Sequence, residues 1–214
     1  MIKQAIIPLA GLGTRLLPLT SVFAKELLPI NGKPGIEYIL DECIDAGIKE
    51  VVFIISQKKL MIKKYFYNDK FYKNIIKNKK DPRIMYEYKK ILKYKKMIKF
   101  VFQEKPLGTG DAVLKTKKLI IDKYFLMLLP DDLIIKKNCT KSMIDIHKKF
   151  NTSVMASMKV DKKNISRWGV YDVKKKIDNN NFIIKGVVEK PSIKTAPSNN
   201  VVIGRYILHK KIFN

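Results

Sequence analysis

The chain has 214 residues, 46% of them hydrophobic, which suffices for the core of one large domain and excludes a disordered tail protein. Its two cysteines, Cys43 and Cys139, are far apart and lack metal-ligand spacing, so neither a disulfide framework nor a zinc site is indicated, and a reducing, cytoplasmic setting is expected. The net charge of +25 invites a nucleic-acid reading, but Arg15, Arg83, Arg167 and Arg205 are the only arginines; so lysine-heavy an excess looks like base-composition bias on exposed positions and argues against a nucleic-acid surface.

In chain order, residues 5–9 form a short apolar run ending in glycines, which predicts a buried strand opening into a loop. The run is too brief for a signal peptide, and no stretch approaches the roughly 18–20 apolar residues of a membrane-spanning helix. After Pro34, apolar residues recur at Ile36, Ile39, Leu40, Cys43 and Ile44, and Gly47 follows: an amphipathic helix with a glycine stop. Residues 51–55 are again an unbroken apolar run, completing a βαβ order that implies a parallel sheet covered by helices.

Residues 61–97 are rich in Lys, Tyr and Asn without a clean period and are expected to form an inserted set of surface helices. The alternation then resumes, with a strand at 98–102, a helix at 110–120, a strand at 124–129 that stops at Pro130, a helix at 140–150 and an extended stretch at 153–160. Segments 169–173, 182–189 and 201–208 are β-rich, and a helix is expected to begin at the last residues. The fold class predicted is therefore α/β: a Rossmann-like, mixed but mainly parallel sheet flanked by helices, in a single domain over 1–214. His147 and His209 lie on lysine-rich stretches and are read as solvated.

The chemistry is sought at strand ends. Ala10, Gly11, Gly13 and Thr14 open the first loop, where small residues let backbone N–H groups approach an anion. Two glycines fit neither the dinucleotide fingerprint nor a P-loop. Gln103 ends a strand just before Gly108, and its amide offers both a donor and an acceptor to a base edge. Asp131 and Asp132 follow an apolar strand, where carboxylates must face water or a cation.

Taken together, Gly13-Thr14-Arg15, Lys25-Glu26-Leu27-Leu28-Pro29, Trp168-Gly169-Val170 and Val188-Glu189-Lys190-Pro191 resemble the nucleoside-diphosphate-sugar pyrophosphorylases, and within them the bacterial UTP–glucose-1-phosphate uridylyltransferases. The resemblance implies uridylyl transfer from UTP to glucose 1-phosphate with Mg²⁺. It implies that Arg15 clamps the departing phosphates, Lys25 neutralises charge at the α-phosphate and Lys190 holds the sugar phosphate. Gln103 and Gly108 would take the base, Glu189 and Gly169 the hexose, and Asp131 the metal. Asp111 departs from the His common in that family. The family is further expected to be homo-oligomeric and to carry, beyond the point matching Asn214, a C-terminal part with a second metal aspartate. Two other readings stay open: a relative using dTTP or ATP, and an inactive remnant that binds nucleotide or nucleic acid.

Overall fold

The structure is a computed structural model and describes residues 2–135 and 137–214. Its first strand, β1 (Gln4–Pro8), has Ala5, Ile6 and Ile7 fully buried, the coverage on both faces expected of a central parallel strand. Short 3-10 turns carry the chain to a hairpin, β2 (Pro29–Ile30) and β3 (Lys33–Pro34). At its tip Asn31 and Gly32 have φ of 49° and 74°, the pair of left-handed residues that a type I′ turn demands. The helix α1 (Gly35–Asp45) buries the predicted stripe Ile36, Ile39, Leu40 and Cys43, and Gly47 ends it with φ 82°.

After β4 (Glu50–Ile55) come α2 (Leu60–Tyr67), α3 (Asp69–Lys79) and α4 (Pro82–Met97). The lysine-rich stretch is not wholly superficial. Ile62 and Phe66 of α2 and Ile91, Tyr94 and Met97 of α4 join the core, whereas α3 buries nothing. The strand β5 (Ile98–Phe102) leads to α5 (Gly108–Lys115), which stops well before residue 120. There the hydroxyl of buried Thr116 donates to the Val113 carbonyl at 2.7 Å, the local competition by which threonine ends helices. Next follow β6 (Tyr124–Leu128), α6 (Cys139–Phe150), β7 (Val154–Lys159), β8 (Gly169–Lys176), β9 (Phe182–Glu189) and β10 (Asn200–His209). The final residues form a 3-10 turn, Lys210–Phe213.

The sheet runs β5-β4-β1-β6-β10-β8-β9, with β7 also paired to β10. Its first four strands are parallel, and β10 turns the rest antiparallel, as a mixed sheet with a parallel core predicts. From β1 the chain moves outward through β4 and β5, then returns across β1 to β6. The switch point therefore lies between β1 and β6, and in open α/β sheets the ligand crevice forms outside the carboxyl ends of strands at such a point. Alternate residues face opposite layers: Ala5 and Ile7 meet α1, α2, α4 and α6, while Ile6 meets α5 and Phe213.

Candidate active site

At the carboxyl end of β1 the ladder runs one residue past the strand, Leu9 N–H donating to Ile54 O at 2.7 Å, before the chain peels away. A side chain at Gly11 would meet nothing within 4 Å, so bare backbone faces open space. Gly13 sits at φ 70°, and its carbonyl accepts from the Thr20 hydroxyl at 2.8 Å, which holds the loop in shape. Ala10, Gly11, Gly13, Thr14, Lys25, Gln103, Gly108 and Asp131 all line one cleft of about 440 Å³, at the switch point.

Lys25 owes its direction to its neighbour. Glu26, in the turn Lys25–Leu27, is buried, and Lys59 donates to both its carboxylate oxygens at 2.7 Å. With Glu26 committed to the interior, the adjacent lysine faces the cleft, its Nζ 3.1 Å from Asp131 Oδ2. Arg15 reaches the same oxygen at 3.7 Å with a side chain 91% exposed, a pairing worth little by itself. Burial works to raise the Asp131 carboxyl, but Lys25, a backbone hydrogen bond and Arg15 outweigh it and hold the group below the ordinary carboxylate range.

The loop after β6 is held from behind. The Gly204 N–H donates to Asp132 Oδ2 at 2.6 Å, and Leu129 N–H donates to Gly204 O at 2.8 Å. The Arg205 guanidinium, fully buried, donates to the carbonyls of Leu129 and Asp132 on either side of Asp131 and to the Glu42 carboxylate on α1. A methyl group at Gly204 would lie 2.5 Å from Leu129 Cβ and 2.8 Å from Asp132 Oδ2. Gly204→Ala is thus expected to destabilise the protein by about 2 kcal/mol, the scale of core overpacking, read as a lowered urea midpoint; an unchanged midpoint would show that the loop yields freely.

Across the cleft, Gln103 N–H extends the β4–β5 ladder to Ile55 O at 2.9 Å. Its side-chain amide nitrogen donates to Gly108 O at 3.0 Å and to Asp111 Oδ2 at 2.8 Å. Gly108, at φ 90°, makes the turn that allows this.

Gly169, Glu189 and Lys190 form a second group and do not line that cleft. Gly169 pairs with Glu189 in register, and a methyl there would stand 3.1 Å from Glu189 Oε2. Lys190 adopts φ 46°, its N–H bonded to Trp168 O at 3.0 Å, and its Nζ is 3.7 Å from Glu189 Oε1. The two groups meet along β10, where Val202 approaches Gly169 and Gly204 holds Asp132.

Three features escaped the sequence reading. Lys59 carries no local signal. Arg205 does: a lone arginine inside an apolar strand asks for a buried partner, here Glu42. The third is packing at the two histidines, which are half-exposed: their rings lie 4.4 Å and 4.7 Å from the Tyr124 ring, and His147 Nδ1 is 2.7 Å from Thr152 O. Both cysteines are free thiols, and burial, with Glu42 close by, raises that of Cys43. No helix of the described residues is long and apolar enough to cross a membrane.

The nucleotidyl transferase family profile matches residues 4–214. A UTP–glucose-1-phosphate uridylyltransferase of Staphylococcus saprophyticus is 35% identical over 214 residues, covering all of this chain and 73% of that protein. Among solved structures, the UTP-bound UGPase from Acinetobacter baumannii superposes with a TM-score of 0.90 at 32% identity, over the whole of this chain and 76% of its own. A UDP-glucose pyrophosphorylase complexed with UDP-glucose gives 0.85 at 33% identity, covering 78% of that chain.

Proposed function

The chain belongs to the nucleotidyl transferase family, and from that premise we propose that it transfers a uridylyl group from UTP to glucose 1-phosphate, yielding UDP-glucose and pyrophosphate. The observation that carries the reading is the convergence of the bare loop at Gly11, Lys25, Asp131 and Gln103 on one cleft at the switch point of the parallel sheet, with Arg15 reaching Asp131 from outside its lining. A phosphate oxygen of the sugar attacks the α-phosphorus of UTP in line. The bond to the β-phosphate oxygen breaks, and pyrophosphate departs.

Such a transfer asks for positioning and charge stabilisation rather than for an enzyme nucleophile. In our reading Ala10, Gly11, Gly13 and Thr14 cradle the phosphates with backbone amides, and Arg15 clamps the departing pair through its planar fork. Lys25 neutralises charge that builds at the α-phosphate during attack. Gln103 and Gly108 receive the base. Gly169 and Glu189 receive the hexose, and Lys190, on the same hairpin end, positions the attacking phosphate.

The donor set suits Mg²⁺. Among the described residues no group of three or more His, Cys, Asp or Glu is placed to hold a metal, whereas Mg²⁺ is commonly held by one or two carboxylates plus substrate phosphates. Asp131 lines the cleft, whereas Asp132 does not and accepts from the Gly204 N–H, so Asp131 is the carboxylate of the pair that would face a cation bound there. When bound, the metal supplies positive charge to the triphosphate. The free thiols are consistent with the cytoplasmic setting we assign to the reaction.

Pyrophosphate release from UTP, dTTP, ATP and CTP with glucose 1-phosphate tests the proposal. UTP is the expected donor. Preference for dTTP or ATP would replace it with a sister activity, and absence of nucleotide binding together with salt-sensitive retention on DNA or RNA would overturn it.

A further inference from the structure

We infer that Asp111 is a specificity-determining residue: it locks the Gln103 amide in one orientation, so that the cleft presents a pure hydrogen-bond acceptor to the base and selects a pyrimidine whose ring nitrogen carries a proton. The inference rests on the nucleotidyl-transfer reading above and concerns how that same site tells its bases apart.

An amide side chain can ordinarily turn over and exchange its donor and acceptor ends. Gln103 cannot. Its nitrogen lies 3.0 Å from the Gly108 carbonyl and 2.8 Å from the Asp111 carboxylate. A carbonyl and an ionised carboxylate only accept, so both hydrogens of the Gln103 amide are committed by the chemistry of their partners. Turning the amide over would set its oxygen against two other oxygens. The backbone is equally fixed, by the bond from Gln103 N–H to Ile55 O, and the residue is only 5% exposed.

What remains is Oε1. It makes no hydrogen bond among the described residues, yet it is not sealed in the interior, and Gln103 is a wall of the cleft. The imide N–H of uracil, or of thymine, is a donor that satisfies this oxygen. Cytosine carries an unprotonated nitrogen at the same ring position, which would meet Oε1 lone pair against lone pair and leave two buried acceptors unmatched. The bond to Asp111 is the charge-assisted member of the pair and so contributes more to the lock than Gly108 does. Lys115, one turn along α5, lies 3.8 Å from the other Asp111 oxygen. Asp111 thus ties the first turns of α5 to the residue just beyond β5 by an ion-assisted bond.

Calorimetric titration of the intact chain with UTP, CTP and dTTP tests the lock without relying on turnover. The wild type is expected to bind UTP and dTTP in preference to CTP. Asp111→Asn, which can donate as well as accept at the same place, and Asp111→Ala, which does neither, should each erode the UTP:CTP ratio by about tenfold, the fold-change of losing one charge-assisted hydrogen bond's bias. The UTP:dTTP ratio, which this amide does not read, should stay constant. An unchanged UTP:CTP ratio in both variants, or equal weakening of all three nucleotides, would overturn the lock and leave Asp111 a helix-terminal charge. Failure of the wild type to bind any of the three would overturn the nucleotidyl-transfer reading itself, and the inference with it.

Discussion

Arg205→Met is expected to lower folding stability by about 3–5 kcal/mol, and Glu42→Met added to it should return a large share of that loss. Arg205 is fully buried, and its guanidinium donates to both Glu42 oxygens and to the carbonyls of Leu129, Asp132 and Gly204. Removing the cation alone strands a carboxylate that is itself nearly buried and is also bonded by the Thr140 hydroxyl at 2.7 Å. An unpaired buried charge is far more damaging than the absence of a pair, because desolvation of the remaining ion is no longer offset. The double variant removes both ions and leaves the freed carbonyls and the Thr140 N–H and hydroxyl unmatched, but it strands no charge, so its loss should be the smaller. Urea unfolding of the four proteins of the cycle measures the coupling. If the double variant were no more stable than Arg205→Met, the pair would not be the unit that holds these layers together.

That pair also shows where the sequence was readable and where it was not. The strands at 51–55 and 98–102 announce themselves because burial within the parallel sheet leaves short, mostly apolar runs, and the stripe Ile36, Ile39, Leu40 and Cys43 does so because one-sided burial of a helix imposes a period that survives in the string of residues. The loop from Gly11 to Arg15 and the run from Lys25 to Pro29 were legible for another reason: they are local, and their chemistry is concentrated in a few contiguous positions. Contacts between distant positions leave no such trace. Lys59 and Glu26 are 33 residues apart and each alone reads as an ordinary surface charge; Glu42 and Arg205 are 163 apart, and although an arginine in an apolar strand asks for a partner, nothing local says that Glu42 is the one.

The insertion failed differently. In α2 and α4 the buried residues Ile62, Phe66, Ile91 and Tyr94 sit among so many lysines and tyrosines that the apolar stripe is masked, since long lysine stems tolerate half-buried positions. Asn31-Gly32 was a missed opportunity of the opposite kind. The dipeptide is the strongest short hairpin signal there is, and the two left-handed residues it favours are what the β2–β3 tip contains.

The second large effect falls on Lys25. Lys25→Met should reduce kcat for pyrophosphate release about 10²–10³-fold, the scale found when one preorganised donor to a developing oxyanion is removed, with a much smaller change in KM. Methionine keeps the unbranched stem of a side chain only 21% exposed, so packing is largely retained and the melting temperature should hold. The substitution also carries an independent signature in pH. Lys25 is the leading influence holding the Asp131 carboxyl below the ordinary range against the opposing effect of burial. Without it the folded-state value rises, so the acid limb of log kcat/KM, where Asp131 takes up a proton, should move to higher pH. A merely structural lysine would lower activity at all pH values and leave that limb in place. Activity within about threefold of wild type with an unmoved limb would remove Lys25 from the chemistry, because a cation that matters in the transition state cannot be exchanged for a thioether without a loss that saturating substrate fails to restore.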